Sequence, residues 1–261
     1  MENVFDSATV SDSAKILGDA QVCGDARVSG NARVSGDARV YGSARVSGSA
    51  WVYGGARVSG SAQVSGNARV SGDAREYGDA QVYGDAQVYG DAWVYGSAWV
   101  SGNAWVYGSA RVSGSARVSG STQVYGDARV YGNAWVYGNA QVYGSARVSG
   151  GARVYGSAQV SGNARVYKQT DIAWVDRVGT GNSMTLHRTE TDGVEGWRIN
   201  AGCRHWEAPT VAEVCEMVRN NVAGGPAEWK ERCVDVQTIS RWDRQVRMAL
   251  VYLASMVEES E

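Results

Sequence analysis

The hydrophobic positions of this chain recur with a period of six residues. From Val4 to Val166 an aliphatic residue occupies every sixth position, which makes twenty-eight hexads with Glu76 as the single exception. Alanine lies two positions before nearly every aliphatic residue, and glycine lies two positions after it from Gly18 to Gly162. On a strand, the alanine and the aliphatic residue face inward and the residue between them faces outward. Glycine tolerates positive φ, so each hexad is expected to form a short strand followed by a corner.

This pattern resembles the hexapeptide-repeat family, in which a small residue follows an aliphatic residue by four positions, as Ala32 follows Val28. The resemblance covers about 164 of the 261 residues. It implies a left-handed parallel β-helix with three hexads per coil, about nine coils in all, and often a trimer. At roughly 4.8 Å per stacked strand, such a prism is about 43 Å long. The chain also resembles uncharacterised repeat proteins of bacteria and phages that carry a small C-terminal α+β domain.

The repeat ends at residue 167, and the composition changes there. We therefore expect a mainly β protein in which residues 1–167 form the β-helix and 168–261 a small α+β domain. Strands are predicted at 171–178, 183–189 and 197–203, with a hairpin turn at 191–193. Thr210 and Glu213 have the spacing of a capping box for a helix to about residue 222, and a second helix is predicted over 239–257. The domain is expected to cap the β-helix, drive oligomerisation or contact a partner.

Three hexads per coil place residues eighteen apart in one vertical column. One outward column is a nearly continuous arginine ladder: Gln21, Arg39, Arg57, Arg75, Trp93, Arg111, Arg129, Arg147 and Arg165. Tyrosines flank this ladder, and guanidinium groups beside aromatic rings suit phosphates and stacked bases. The sequence therefore predicts an anionic, nucleotide-like small molecule bound by Arg75, Trp93, Tyr95, Arg111, Arg129, Tyr131 and Arg147.

Three features of the outward and inward positions have alternative interpretations. The ladder could instead be neutralised by corner aspartates, namely Asp19, Asp37, Asp73, Asp91 and Asp127. Exposed tryptophans suggest an interface between copies of the chain, a homotrimer by the resemblance, with candidates Trp51, Trp99, Trp105 and Trp135. Ligand could lie in a groove between subunits. Glu76 is either a tolerated defect with local bulging or a polar site inside the helix.

The repeat contains no histidine that could serve as a catalytic base. Many hexapeptide-repeat relatives are acyltransferases that bind coenzyme A between subunits and use a histidine, commonly with an inserted loop. Here only His187 and His205 are available, both outside the repeat, and Cys203 beside His205 does not form a nucleophile pair by spacing alone. We expect no catalytic residue in the repeat. Cysteines without CxxC spacing predict no metal, and no cofactor is expected.

The composition sets limits on the partners. A formal charge of −2 demands no nucleic acid polymer, and no apolar run predicts a membrane span. The N-terminus shows no targeting pattern, so a cytoplasmic location is expected, in a bacterial host if the chain is phage-encoded. Three functions stay open: a non-catalytic oligomeric binding protein, by extension a phage counter-defence protein that sequesters a nucleotide signal; a structural scaffold or spike; and a coenzyme A-dependent acyltransferase.

Overall fold

The hexads wind into a parallel β-solenoid of nine coils. A computed structural model describes residues 3–11, 13–178, 182–201, 204–223 and 248–257. The solenoid strands are, in chain order, β1 Thr9–Val10, β2 Lys15–Ile16, β3 Gln21–Val22, β4 Arg27–Val28, β5 Arg33–Val34, β6 Arg39–Val40, β7 Arg45–Val46, β8 Trp51–Val52, β9 Arg57–Val58, β10 Gln63–Val64, β11 Arg69–Val70, β12 Arg75–Gly78, β13 Gln81–Val82, β14 Gln87–Val88, β15 Trp93–Gly96, β16 Trp99–Val100, β17 Trp105–Val106, β18 Arg111–Val112, β19 Arg117–Val118, β20 Gln123–Val124, β21 Arg129–Val130, β22 Trp135–Val136, β23 Gln141–Val142, β24 Arg147–Val148, β25 Arg153–Val154, β26 Gln159–Val160 and β27 Arg165–Val166.

Every third strand belongs to the same flat side of the solenoid, as three hexads per coil require. The sides are three nine-stranded parallel sheets. We call the sheet from β1 to β25 the mixed face, the sheet from β2 to β26 the glutamine face and the sheet from β3 to β27 the arginine face. Partners in register are eighteen residues apart, as in Arg27 and Arg45. The predicted coil number and sheet pattern are confirmed.

The core consists of the inward alanines and valines. From Ala20 to Val166 these side chains are essentially inaccessible to solvent, and Glu76 and Thr122 are the polar residues among them. The corner glycines from Gly18 to Gly162 have φ between 61° and 77°. A Cβ on Gly102 would lie 2.9 Å from the backbone nitrogen of Gly120 in the next coil. Stacked corners therefore require glycine for both backbone conformation and space.

After the solenoid, the described residues form an antiparallel sheet and two α-helical segments. A 3-10 turn (Gln169–Asp171) leads into β28 Ile172–Val178, β29 Asn182–Thr191, β30 Val194–Ala201 and β31 Arg204–Ala208, followed by α1 Val211–Ala223. Residues 248–257 are also helical. The three predicted strands are confirmed, the third as far as Ala201, since residues 202 and 203 lie outside the described residues. Strand β31 was missed because this short segment becomes a strand by pairing with β30. The predicted residues 239–247 of the last helix lie outside the described residues.

Local signals for the hairpin and the first helix are confirmed. Asp192 and Gly193 have φ of 53° and 78°, the positive values that a two-residue hairpin turn requires. The backbone nitrogen of Glu213 donates to Thr210 Oγ1 at 3.2 Å, and the nitrogen of Thr210 donates to Glu213 Oε2 at 3.2 Å. This reciprocal pair is the predicted capping box.

Strand β29 lies against the last coil of the solenoid. Ser183 Oγ donates to the carbonyl of Ser157 at 2.8 Å, and Thr185 Oγ1 accepts from the nitrogen of Gln159 at 2.9 Å. Asn200 Nδ2, on β30, donates to the carbonyl of Gln159 at 2.8 Å. These contacts satisfy backbone groups of the last coil that would otherwise form an open sheet edge.

Candidate functional site

The arginine face brings the predicted ligand-binding residues together in two neighbouring columns. Arg75, Trp93, Arg111, Arg129 and Arg147 are consecutive register partners on β12, β15, β18, β21 and β24. Tyr95 and Tyr131, each one position after the inward valine, lie on the same face. The structure thus places all seven residues side by side, over five consecutive coils.

The corner aspartates lie beside the arginine ladder. Within the part of the chain that the structure describes, no ion pair joins any of them to an arginine of the ladder; Arg165 at its end pairs with Glu190 at 3.2 Å. The interpretation that these aspartates neutralise the ladder through solvent stays a prediction. Two unit charges one strand spacing apart repel by about 1 kcal/mol even in water. A bound anion would relieve this repulsion.

Trp93 holds two of these arginines in place. The Cζ atoms of Arg75 and Arg111 each lie 5.1 Å from the centroid of the indole ring. Tyr77 meets the same ring edge-on, with centroids 6.2 Å apart. Because guanidinium groups already cover the indole, Trp93 orders the charged groups beside it and offers little open surface for stacking.

A cleft of about 370 Å³ opens on the arginine face, lined by Tyr41, Arg57, Ser59, Arg75, Glu76, Tyr77 and Trp93. The cleft arises among the outward residues that come one position after the inward residues of this face. In that column Ser59 lies between Tyr41 and Tyr77. Where two tyrosines are consecutive, as in Tyr77 and Tyr95, their rings stack 4.9 Å apart with an angle of 6° between the planes. The serine therefore leaves one ring missing from the column, and two strand spacings, about 10 Å, separate the flanking tyrosines.

Two of the predicted residues, Arg75 and Trp93, line this cleft, and the other five do not. Sequence reasoning did not select Tyr41, Arg57, Ser59 or Tyr77 as site residues. The available signal was a serine flanked by tyrosines at eighteen-residue spacing. The same alternation recurs in this column at Ser113, between Tyr95 and Tyr131, and at Ser149, between Tyr131 and Tyr167.

Glu76 lies behind the cleft, inside the solenoid. Its side chain is 0% exposed, and neither carboxyl oxygen has a hydrogen-bond partner. Burial raises the pKa of this carboxyl to about 8, so it is neutral at pH 7. Strand β12 keeps its register on both sides, with Glu76 opposite Val58 and Val94. The expected local bulge is therefore wrong: the helix accepts the carboxyl without distorting the strand.

The four tryptophans that are predicted to form an interface are all exposed to solvent. Trp51 and Trp105 lie on the glutamine face, and Trp99 and Trp135 lie on the mixed face. An arginine covers Trp51, Trp99 and Trp135, with Cζ 4.8 to 5.4 Å from the ring centroid. Their role in an interface stays a prediction.

His187 is buried beneath the last coil. Its Nε2 lies 3.0 Å from Nδ2 of Asn200, and its Nδ1 lies 3.3 Å from the carbonyl of Arg188. Burial lowers the pKa of this imidazole to about 4, the largest of several influences. An amide donor on Nε2 fits the neutral ring with its proton on Nδ1. His187 is therefore buried away from the solenoid surface, whereas His205 on β31 is exposed.

The described residues contain neither a membrane-spanning helix nor a metal-binding cluster. Among these residues, no helix is long and apolar enough to cross a membrane. Nor does any cluster of three or more histidine, cysteine, aspartate or glutamate side chains there have the arrangement needed to hold a metal ion.

Nine coils, three parallel sheets and glycine corners define a β-solenoid repeat protein. The chain belongs to the family described as YdcK beta solenoid repeat. The family model matches segments that together span more than half of the chain: 20–36, 32–48, 38–54, 62–78, 80–96, 86–102, 98–114, 110–126, 122–138, 140–156 and 158–169.

Solved structures with detectable similarity include two acyltransferases. The UDP-N-acetylglucosamine acyltransferase from Campylobacter jejuni is 16% identical, with 54% of this chain and 67% of that chain covered and a TM-score of 0.24. The Arabidopsis UDP-N-acetylglucosamine acyltransferase is 12% identical, with 55% and 70% covered and a TM-score of 0.24. TM-scores this low support no argument about this chain. No curated protein matches it.

Proposed function

We propose that this solenoid is a non-catalytic binding protein that holds a nucleotide-like anion in the cleft at Ser59. The observation that carries the proposal is the missing ring between Tyr41 and Tyr77, directly beside Arg57 and Arg75. The cleft thus combines an aromatic slot with cations that have no acidic partner among the described residues. A base and its phosphates require both.

The spacing of the slot suits one aromatic ring. On the glutamine face, consecutive tyrosine rings stack with centroids 4.9 to 5.1 Å apart. A ring that occupies the position of the missing tyrosine would therefore lie about 5 Å from Tyr41 and from Tyr77, within the range of offset-stacked aromatic pairs. Base stacking of this kind contributes about 1–3 kcal/mol per base.

The charges around the slot favour an anion. Arg57 and Arg75 are neighbours in register, and their guanidinium forks match phosphate oxygens. Glu76 would oppose an anion if it were ionised, but burial holds its pKa at about 8. At neutral pH the site therefore carries the positive charge of the arginines without a negative charge behind it.

Binding without turnover is the second part of the proposal. The solenoid contains no histidine, and His187 is buried where β29 lies against the last coil. A protein that holds a nucleotide without transforming it would sequester it. This proposal extends to a phage counter-defence role in the cytoplasm of a bacterial host, in which the sequestered molecule is a nucleotide signal.

Isothermal titration calorimetry with ATP and with cyclic di-AMP tests the proposal. Arg57→Gln is expected to weaken binding by about 10-fold or more, because a charge-assisted hydrogen bond contributes about 1.5–3 kcal/mol. Glutamine occupies the same outward position at Gln21, so the fold tolerates it. Arg45→Gln on the mixed face removes the same charge away from the cleft and is the matched control.

Three outcomes decide between the functions. A loss confined to Arg57→Gln supports the cleft. An equal loss in both variants would show diffuse attraction and contradict a site at Ser59. A wild-type protein that binds neither nucleotide would contradict the proposal and favour the scaffold.

A further inference from the structure

The glutamine face changes character halfway along the solenoid. Its first four outward strand positions include three cations: Lys15, Arg33 and Arg69. Its last five positions carry no charge: Gln87, Trp105, Gln123, Gln141 and Gln159. The other two faces carry arginine as far as their last strands. The uncharged half is therefore a distinct surface.

Stacked tyrosines run beside these glutamines. Tyr89, Tyr107, Tyr125 and Tyr143 form an unbroken ladder with interplanar angles of 2° to 4°. Because each ring covers the face of the next, the ladder presents ring edges and hydroxyl groups at intervals of one coil. Burial raises the pKa of Tyr89, Tyr107 and Tyr125, so these three hydroxyls stay protonated hydrogen-bond donors. The surface is rigid, regular and neutral.

Trp105 lies near the middle of this surface and differs from the other exposed tryptophans. Its indole is 40% exposed, and its register partners are Gln87 and Gln123. Among the residues that the structure describes, no arginine lies over its ring, whereas arginines cover Trp51, Trp99 and Trp135. Trp105 is as exposed as Trp51, Trp99 and Trp135, at 40% against 37% to 39%, and of these four it is the one whose ring has no arginine over it.

We infer that this neutral strip, formed by Gln87, Tyr89, Trp105, Tyr107, Gln123 and Tyr125, binds the same strip of a second copy of the chain. Glutamine amides and tyrosine hydroxyls both donate and accept hydrogen bonds, so the strip is complementary to itself. A second copy also has the same spacing from coil to coil, which keeps every rung aligned with a partner. The arginine face of one copy, by contrast, would repel the arginine face of another.

The composition of the strip follows the anatomy of protein interfaces. Their cores are depleted in charge and enriched in tyrosine and tryptophan, with a polar rim around them. Here the corners that border the strip supply such a rim, with Asp85 on one side and Asp91 and Asp127 on the other. Contact between identical surfaces closes after two copies, whereas a ring of three needs two different contact surfaces per copy. The inference is therefore a dimer.

Light scattering on the full chain tests the dimer. The wild type is expected at twice the chain mass of 27.8 kDa, and Gln123→Arg at that mass itself. Arginine is tolerated at outward strand positions, as Arg129 on the next strand shows, so the variant should fold. Gln81→Arg makes the same change on the mixed face and should leave the dimer intact.

Trp105→Gln is a second variant, because it continues the glutamine column without adding charge. It should raise the dissociation constant of the dimer by at least 10-fold, as expected for a central tryptophan anchor. A monomeric wild type, a trimer, or a dimer unaffected by both Gln123→Arg and Trp105→Gln would overturn the inference. Nucleotide titration of Gln123→Arg, which leaves the cleft untouched, separates this result from the proposed ligand site.

Discussion

Valine in place of Glu76 is expected to stabilise the protein by about 3 kcal/mol at pH 7 and about 5 kcal/mol above pH 8. The reason is the difference between the folded pKa of about 8 and the ordinary value of 4.5. Each unit of that difference is 1.36 kcal/mol. Valine fills the same inward position in the coils on either side, at Val58 and Val94, so the substitution restores the pattern.

The pH dependence of the wild type follows from the same shift. The folded state binds the Glu76 proton more tightly than the unfolded chain, so the penalty is absent below pH 4.5. As the pH rises from 4.5 to about 8, the unfolded chain ionises first and the free energy of unfolding falls. Above pH 8 both states are ionised and the loss is complete.

Urea unfolding at pH 4.5, 7 and 9 checks this expectation. In Glu76→Val, the free energy of unfolding should no longer show the fall that Glu76 causes between pH 4.5 and 8. Glu76→Gln should lose it too, but with less gain in stability, because the buried amide still lacks partners. Equal stabilities of wild type and Glu76→Val at pH 9 would show that the carboxyl is not buried as described.

Acid is expected to destabilise the C-terminal sheet through His187, by about 3 kcal/mol between pH 6.5 and 4. This imidazole is neutral in the fold, with a pKa of about 4 instead of 6.5. Its contribution is present above pH 6.5 and is lost as the pH falls toward 4, because the unfolded chain takes up the proton first. Protonation would also set an N–H of His187 against the amide donor of Asn200.

His187→Gln should remove this loss of unfolding free energy at acid pH, which we call the acid limb. A glutamine oxygen can accept a hydrogen bond from Asn200 without titrating. His205→Gln, at the exposed histidine of β31, is the control and should keep the acid limb. The measurement is the free energy of unfolding at pH 4 and pH 7 for all three proteins. An acid limb that survives in His187→Gln would contradict the assignment.

The fold could be predicted almost completely because each hexad contains the local signals for its own strand and corner. An inward alanine and valine, and a glycine that only a corner requires, repeat without a change of register from Gly18 to Gly162. Strand β31 could not be predicted in the same way, because its five residues become a strand only by pairing with β30. Long-range pairing of that kind leaves no local pattern.

The candidate site could be predicted to the level of its column. Residues eighteen apart had to stack, so the arginines and Trp93 were placed together correctly. What the pattern did not reveal was which aromatic surfaces remain open: Arg75 and Arg111 cover Trp93, while Ser59 opens the slot beside Tyr41. Those properties depend on side-chain packing between coils.

Calorimetric titration of Ser59→Tyr with ATP and cyclic di-AMP tests the central claim most directly. Tyrosine at this position completes the column between Tyr41 and Tyr77, a side chain that the repeat already accepts at many equivalent positions. The account predicts a folded protein, at least as stable as the wild type, that no longer binds the nucleotide. Ser47→Tyr on the mixed face should bind normally. Undiminished binding by Ser59→Tyr would contradict a ligand in the slot.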